Sequence, residues 1–358
     1  MSSLDSGRDS RSVKQRSILG KSGLGSPDSA ISQLFRGYDH RQTGTNFQRD
    51  AFNHGYVFYT RPMMNMSYDN INGDPLLSCL LSDDLNSPFR YVRAMLDPQG
   101  EYDSNLIDRE QPFIPILTNT CVSHSGWPDI GIDSYVAPEG MRREAWAMGE
   151  SVAEYNGVSD LSASFENTHG NILLFMFHCW IKYIGEVKMG DDMTPYPQAW
   201  MTHYLDYVSR CWRIVLDKNK RYVTGIATSV ASYPENAPLG AQFNFNKDSV
   251  FPQDTSQINI QWKSMCIEYN YEHLIDEFNE NVCFKCPKMR DHRRPNEMVL
   301  LKLTSIINTD GSPMFLDELN LTNFDNLYPR INPETKEFEW WMKLNEYKTM
   351  RNLYELDQ

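Results

Sequence analysis

Cys121 and His124, with Asp129 close by, are the residue types of a thiol nucleophile and its general base. Such groups act together only when they converge in space. All three stand in one short stretch rich in proline and glycine, which we predict to be a loop. A structured loop anchored by Trp127 explains the same residues more simply. A hydrolase or transferase that uses Cys121 and His124 is therefore kept only as an alternative.

Cys283 and Cys286 form a Cys-x-x-Cys pair, and His292 follows them. A structural zinc site needs four ligands, which usually come from two such pairs. The sequence contains no second pair, and a redox motif is expected to open a helix in a βαβ unit. We therefore predict two reduced thiols and no cofactor. Cys283, Cys286 and His292 are the candidate ligands if a metal binds.

Two further motifs are weaker than they first look. The segment 18–23 (ILGKSG) is similar to a phosphate-binding loop, but that motif needs a glycine where the chain has Gln15. His178 and Cys179 are neighbours, and adjacent side chains on a helix point about 100° apart, so they cannot easily share an ion. Because no catalytic constellation outweighs a structural explanation, we predict that the chain is not an enzyme.

Composition favours a folded, acidic protein. The chain has 358 residues, of which 41% are hydrophobic and 12% aromatic, so it can bury a large core. Its net charge of −13 argues against general nucleic-acid binding, because phosphate neutralisation needs an excess of lysine and arginine. Seven cysteines without a dense framework indicate a reducing compartment. The first residues show no signal peptide.

The segment 165–186 (FENTHGNILLFMFHCWIKYIGE) is the most apolar part of the chain. Its apolar run is shorter than the roughly 20 residues that a membrane span needs. We predict a helix over about 170–184, capped by Asn167 or Thr168 and ended by Gly185. This helix is apolar all round, more than the one stripe that a helix lying on a sheet must bury.

The outer side of this helix is therefore predicted to be covered by a neighbouring subunit. We expect substitutions such as Trp180→Ala or Phe177→Asp to impair assembly more than they unfold the monomer. The predicted interface residues are Phe175, Met176, Phe177 and Trp180.

Hydrophobic periodicity and the signals at element ends predict the other helices and strands. Strands are predicted over 55–62, 240–246, 256–269 and 298–308, with a hairpin over 211–234 that turns at 217–220. Helices are predicted over 84–96 with Ser87 as N-cap, over 197–210, over 269–282 and over 336–357, the last carrying Trp340 and Trp341. The region 97–160 is predicted to be irregular.

The order of these elements from 143 to 270 resembles the tail-tube family of contractile-tailed bacteriophages. The matching pieces are FENTHG, NILLFMFHCWIKYIG, YPQAWMTHYLDYVSR, RIVLDKNKRYVTGIATSVASYP, FNF and INIQWKSMCIEY. The resemblance implies an α+β fold, mainly an antiparallel β-sandwich or barrel of tail-tube type with a packed helix. It also implies that six copies close into a ring around the DNA channel. The family supplies no catalytic residues.

The resemblance leads to a prediction for each part of the chain. Residues 1–34 form a flexible N-terminal arm. Residues 35–282 form a tail-tube-like domain with an insertion at about 60–140, and 283–358 form an extension that ends in a helix. The predicted function is a hexameric ring of a contractile phage tail, either the tube or a tube-initiating baseplate ring. A neck or baseplate wedge protein is the alternative within virions.

The predicted partners follow from that function. They are further copies of the chain and adjacent tail tube, sheath or baseplate proteins. The ring would enclose DNA without binding it specifically, since an acidic wall lets DNA slide. No membrane is involved, and the expected location is the phage tail after assembly in the bacterial cytoplasm.

Overall fold

A six-stranded antiparallel sheet with the order β1-β6-β7-β8-β5-β2 lies at the centre of the chain. The computed structural model describes residues 54–100, 102–150, 157–168, 170–190, 193–202, 205–217, 221–243, 257–301 and 327–349. The strands are β1 (His54–Tyr59), β2 (Cys121–Ser125), β3 (Ser134–Val136), β4 (Ala147–Gly149), β5 (Val158–Glu166), β6 (Ser209–Leu216), β7 (Val223–Pro234), β8 (Gln257–Tyr269), β9 (Met298–Leu301), β10 (Leu327–Ile331) and β11 (Phe338–Lys343). The predicted N-terminal arm, 1–34, lies outside the described residues.

Helices and two smaller sheets surround this centre. The helices are α1 (Tyr68–Ile71), α2 (Pro88–Leu96), α3 (Pro115–Thr120), α4 (Ile172–Met189), α5 (Pro197–Met201), α6 (His273–Lys285) and α7 (Arg294–Glu297). Short 3-10 helices cover Leu77–Leu81, Leu239–Phe243 and Pro287–Met289. Strands β9 to β11 form a sheet of order β10-β11-β9, and β3 and β4 form a two-stranded sheet. The fold is therefore α+β, as predicted.

Both faces of the central sheet are covered, because successive side chains of a strand point to opposite faces. In β1, Val57 and Tyr59 belong to a first core, while Phe58 belongs to a second. The first core contains α2 and α4. The second contains α6 and the β9–β11 sheet. The sheet is thus the middle layer of three, which explains why its strands are rich in large apolar residues on both sides.

The sheet is curled into an open half-barrel. Cys211 of β6 and His124 of β2 are separated by three strands, which in a flat sheet would place them about 19 Å apart at a spacing of about 4.8 Å. Their side chains nevertheless approach to 3.7 Å between Sγ and Nε2. Helix α4 fills the concave side, where Phe177 and Trp180 pack edge-on against Trp262.

The apolar helix is longer than predicted and is capped by other residues. Asn171 precedes it, and Gly190 (φ 75°) follows it in the left-handed conformation that commonly ends helices. Gly185, the predicted end, lies inside the helix. The helix continues because Ile184 and Val187 still pack against the first core, so their burial outweighs the cost of one internal glycine.

Several predicted elements are confirmed. Strand β1 and the hairpin of β6 and β7 lie as expected, and so does β8, with Ile258, Ile260 and Trp262 all buried. Helix α2 begins at Pro88, and Ser87 caps it by accepting a hydrogen bond from the Phe89 N–H.

Other predicted elements are corrected. The helix predicted over 197–210 ends at Met201, and β6 already begins at Ser209. The strand predicted over 240–246 is replaced in part by a 3-10 helix, Leu239–Phe243, and 244–246 lie outside the described residues. The region 97–160, predicted to be irregular, contains α3, β2, β3, β4 and the start of β5.

The predicted C-terminal helix begins later than expected. Phe338–Lys343 is strand β11, the central strand of the three-stranded sheet, and helical residues appear only from 344 to 349. Phe338, Trp340 and Met342 alternate with partly exposed residues and enter the second core. This period of two indicates a strand. The helix was predicted too early because helix-forming residues follow directly.

A buried arginine links three separate segments of the region predicted as an insertion, 60–140. The Arg61 guanidinium, 5% exposed, donates to the carbonyl oxygens of Arg109 and Gln111, each at 3.0 Å, and to those of Ala94 and Met95 at the end of α2. Cations near a helix C-terminus are stabilising. Burial lowers the pKa of Arg61 to about 10, so it stays charged at neutral pH.

Candidate subunit-contact surfaces

Cys121 and His124 lie on the edge strand β2, not in the predicted loop. His124 Nδ1 accepts a hydrogen bond from Trp127 Nε1 at 2.9 Å, so the proton of the neutral imidazole is on Nε2. That nitrogen faces Cys211 Sγ rather than Cys121. The lone pair that a general base needs is therefore already used by the indole. Asp129 is exposed beyond the end of the strand.

The protonation states of these groups also oppose nucleophilic catalysis. Burial raises the pKa of Cys121 to about 11, although Arg213 acts in the opposite direction. Burial, assisted by Arg213, lowers the pKa of His124 to about 4. At neutral pH both groups are uncharged, whereas a reactive cysteine needs thiolate character. The pair is a packed part of the half-barrel interior.

Cys121 is expected to alkylate slowly. With a pKa of about 11 its thiolate fraction at pH 7.5 is at least about 100-fold lower than that of an ordinary thiol, whose pKa is about 8.5. The rate should rise tenfold per pH unit up to about pH 10, because only the thiolate reacts. Iodoacetamide labelling followed by peptide mass spectrometry measures this, with the exposed Cys266 as reference. Fast labelling of Cys121 at pH 7.5 would contradict the structure.

The Cys-x-x-Cys pair lies at the end of α6 and is not gathered into a ligand set. Cys286 is fully buried in the second core, with its sulfur 4.0 Å from Glu110 Oε2, while Cys283 is half-buried and His292 is exposed. Burial raises the pKa of both thiols, that of Cys286 to about 11. Across the described residues, no three His, Cys, Asp or Glu side chains are placed to hold a metal ion.

A polar cluster joins the region before α3 to the C-terminal sheet. Lys343 of β11 forms ion pairs with Asp108 and Glu110, and Glu110 also contacts Lys288 at 3.0 Å. Tyr328 of β10 donates to Asp108. These groups neutralise one another, and together they fix the position of the three-stranded sheet against the rest of the chain.

Helix α4 offers less surface than predicted. Met176, Phe177 and Trp180 are at most 1% exposed and are covered by the chain itself, so they cannot form a subunit interface. The prediction is corrected for these three residues. The outer side of the helix lies beside α2 and Leu239, and Ile172, Phe175 and His178 on that side stay partly exposed. Of the predicted interface residues only Phe175 is partly exposed, and its ring packs against Phe89 at 5.2 Å.

Residues 129–150 form the most exposed structured segment, here called the arm, which is distinct from the predicted N-terminal arm. Its two strands, β3 and β4, pair in register from Ser134 with Gly149 to Val136 with Ala147. Every residue of the arm except Ala137 is exposed. Its apolar side chains are exposed by 42% to 105%: Ile130, Ile132, Tyr135, Val136, Met141, Trp146 and Met148. Seven exposed large apolar side chains within 22 residues favour an interaction surface.

The tip of the arm is a defined turn. The Gly140 N–H donates to the Glu144 carbonyl at 2.9 Å, and the Arg143 N–H donates to the Gly140 carbonyl at 2.9 Å. Met141 stands at its apex, fully exposed. The sequence pattern predicts irregular structure over 97–160 and so does not identify the arm. The signal was Pro138-Glu139-Gly140 between two segments that carry Tyr135 and Trp146.

The free edges of the central sheet are a second candidate surface. Strands β1 and β2 end the sheet order, and β1 is partly covered by a bridge between Thr60 and Phe113. Within the described part of the chain, no strand pairs with the outer edge of β2, where Val122 is 50% exposed. An unpaired edge is a template for another chain. Among the helices that the structure describes, none has the length and apolarity to cross a membrane.

A family model described as "Putative phage tail tube protein" matches residues 3–356. Among solved structures, the tube-terminating cap of the anti-feeding prophage is similar at 11% identity and a TM-score of 0.27, covering 47% of this chain and 85% of that one. A sheath/tube terminator of an extracellular contractile injection system aligns at 9% identity and a TM-score of 0.24, covering 44% and 87%. A sheath–tube complex of such a system aligns at 12% identity and a TM-score of 0.26, covering 45% and 84%. No curated protein matches the sequence significantly.

Proposed function

Because the chain belongs to a family of phage tail tube proteins, we propose that it is a virion structural protein that closes into a hexameric ring of a contractile tail. The ring is the tail tube itself or the baseplate ring on which the tube starts. It encloses the DNA channel, and its partners are further copies of the chain and adjacent tube, sheath or baseplate proteins.

The observation that carries this proposal is the arm. A two-stranded hairpin is marginally stable alone in water, so an exposed apolar hairpin indicates that a partner covers it. In the described structure the arm is covered by no other part of the chain. Subunits that repeat around a ring meet through two different surfaces on each copy, and an exposed arm can supply one of them. The free edge of β2 is a further surface through which neighbours could pair.

Charge and chemistry agree with a structural role. A net charge of −13 disfavours adhesion to DNA, as a channel wall requires. The one pair that offered a catalytic alternative, Cys121 and His124, is uncharged at neutral pH and not aligned for proton transfer. No specific observation favours an enzyme over a structural subunit.

Electron microscopy of the purified full chain tests the proposal. Negatively stained samples are expected to contain rings with six-fold symmetry or tubes built from them, and mass photometry should detect a species of six times 41.6 kDa. A tube subunit should elongate at high concentration, whereas a tube-initiating ring should stop at one or two rings. A chain that stays monomeric at all concentrations would contradict the proposal.

A further inference from the structure

A short series of side-chain contacts attaches the base of the arm to the half-barrel. Trp127 Nε1 donates to His124 Nδ1 at 2.9 Å, and the Trp127 ring packs against that of Tyr269, the last residue of β8. The Tyr269 hydroxyl in turn donates to the Pro128 carbonyl at 2.7 Å, directly before the arm begins. His124 belongs to β2 and points into the half-barrel. These contacts hold the start of the arm against the central sheet.

His124 can take part in this attachment only while it is uncharged. An indole N–H donates and cannot accept, so the Nδ1 atom that receives it must carry a lone pair. A charged imidazole has an N–H group at both ring nitrogens and would place a donor against the Trp127 donor. Protonation of Nδ1 therefore breaks the hydrogen bond to Trp127 and leaves two N–H groups facing each other.

The groups that pack on His124 also oppose its charged form. Cys211 Sγ of β6 lies 3.7 Å from Nε2, and the Tyr59 ring of β1 lies 6.3 Å from the imidazole. Neither is a carboxylate that could pair with an imidazolium. Burial, assisted by the Arg213 cation of β6, lowers the pKa of His124 to about 4. At neutral pH the attachment is therefore intact.

The other titratable groups around this position do not offset that cost. Cys121, on the same strand, is uncharged at neutral pH because burial raises its pKa to about 11. Asp160, on the neighbouring β5, forms an ion pair with Lys263 of β8 at 2.6 Å. Among the described residues, Arg213 is thus the charged group that acts on His124, and it has the same sign as a protonated imidazole.

Strand β2 is well placed to open locally. It has five residues, and in the described part of the chain it pairs only with β5. Its register shifts between Cys121 and Ser123, so the ladder is already interrupted near its start. Short segments of this kind open at a smaller free-energy cost than the core. When the end of β2 opens, His124 reaches water, where the pKa of a histidine is about 6.5.

We propose that His124 is a pH-sensitive switch, which holds the end of β2 and the base of the arm against the half-barrel and releases both when its Nδ1 atom takes up a proton. The released state binds the proton more tightly than the attached state, so acid favours release. The attached state keeps its full advantage above about pH 6.5. That advantage falls about tenfold per pH unit down to about pH 4, about 300-fold in total, and is then constant.

Thiol labelling of the dilute full chain across a pH series measures release. Cys211 is fully buried behind His124, and burial raises the pKa of its thiol, so it should react only when β2 opens. An activated pyridyl disulfide is used because it also reacts in acid, and peptide mass spectrometry measures each cysteine separately. Cys266 is exposed, so the ratio of the Cys211 rate to the Cys266 rate reports the released fraction. We expect this ratio to rise at least about 30-fold from about pH 7 to about pH 4.5.

Two further cysteines in the same samples separate release from unfolding. Cys179 lies in the first core and Cys286 in the second, and both are fully buried. Their rates relative to Cys266 should change by less than about threefold over the same range, because local opening leaves the core folded. A parallel rise at Cys211 and Cys179 would show that acid unfolds the core and would overturn the proposal. A constant Cys211 ratio would overturn it as well.

Two substitutions test the hydrogen bond itself. In His124→Asn the side-chain oxygen takes the place of Nδ1 and accepts from Trp127, but it does not titrate, so the Cys211 ratio should lose its pH dependence. Trp127→Phe keeps an aromatic ring and removes the donor, so it should raise the ratio at neutral pH at least about threefold. A pH dependence in His124→Asn equal to that of the unmodified chain, or an unchanged ratio in Trp127→Phe, would contradict the switch.

The switch acts within one chain, so the labelling decides it whether or not rings form. A chain that forms no rings while its Cys211 ratio rises in acid would contradict the proposed function alone. A chain that forms rings while this ratio stays constant would contradict the switch alone.

Discussion

Replacing residues 134–149 by Asn-Gly is expected to raise the critical concentration for assembly by at least about 100-fold and to leave the folded monomer intact. The change removes β3, β4 and the tip, and joins Asp133 to Glu150. Those two residues already face each other, because the Glu150 N–H donates to the Asp133 carbonyl at 2.8 Å. Asn-Gly is the preferred two-residue turn for such a connection.

The size of the effect follows from what the replaced segment exposes. Five large apolar side chains are lost: Tyr135, Val136, Met141, Trp146 and Met148. Full burial of one such side chain contributes about 1.5–3 kcal/mol, and about 2.7 kcal/mol corresponds to a 100-fold change in affinity. Two buried side chains are therefore sufficient. Because the segment is exposed in the monomer, we expect the free energy of unfolding to change by less than about 1 kcal/mol.

Sedimentation velocity across a concentration series measures the first quantity, and denaturant unfolding measures the second. Phe284→Ser is the matched control, since Phe284 is 71% exposed and lies outside the arm on α6. It should assemble as the unmodified chain does. Assembly of the arm-deleted chain at unchanged concentration would show that the arm is not a subunit contact.

The elements that were predicted best are those whose signal lies within a few neighbouring residues. Alternation in Ile258, Ile260 and Trp262 was sufficient for β8, and Ser87-Pro88 for the start of α2. The end of α4 was misplaced because glycine propensity is worth about 1 kcal/mol, less than the burial of the residues that follow Gly185. The strand β11 was predicted wrongly because helix-forming residues follow it, and its pairing with β9 and β10 joins residues far apart in the chain.

The candidate surfaces were harder to predict, because exposure depends on contacts between residues far apart in the chain. An apolar helix looks the same in sequence whether its outer side is covered by a partner or by its own chain. Here α2 and Leu239 lie beside the helix, and nothing in the helix sequence specifies them. The curl of the sheet, which brings His124 to Cys211, likewise depends on the twist of all six strands.

Trp180→Ala is expected to destabilise the monomer by about 3–5 kcal/mol, which reverses the sequence-based expectation that it acts mainly on assembly. Trp180 is fully buried, and its Nε1 donates to the Tyr207 carbonyl at 2.9 Å. Its ring meets Trp262 of β8 edge-on at 5.7 Å. Alanine would leave a cavity between α4 and the sheet, and an unpaired carbonyl beside it.

Phe175→Ala separates folding from assembly on the same helix. Phe175 packs against Phe89 and is only partly buried, so its truncation should cost about 1 kcal/mol of stability and weaken assembly more than folding. Guanidinium unfolding of both variants, with the slope of the transition held constant, gives the comparison. If Trp180→Ala lost less than about 1 kcal/mol while assembly disappeared, the buried side of α4 would have to open in the assembled state. The half-barrel interior would then be a subunit interface, because Trp180 and Trp262 can be reached only by moving the helix off the sheet.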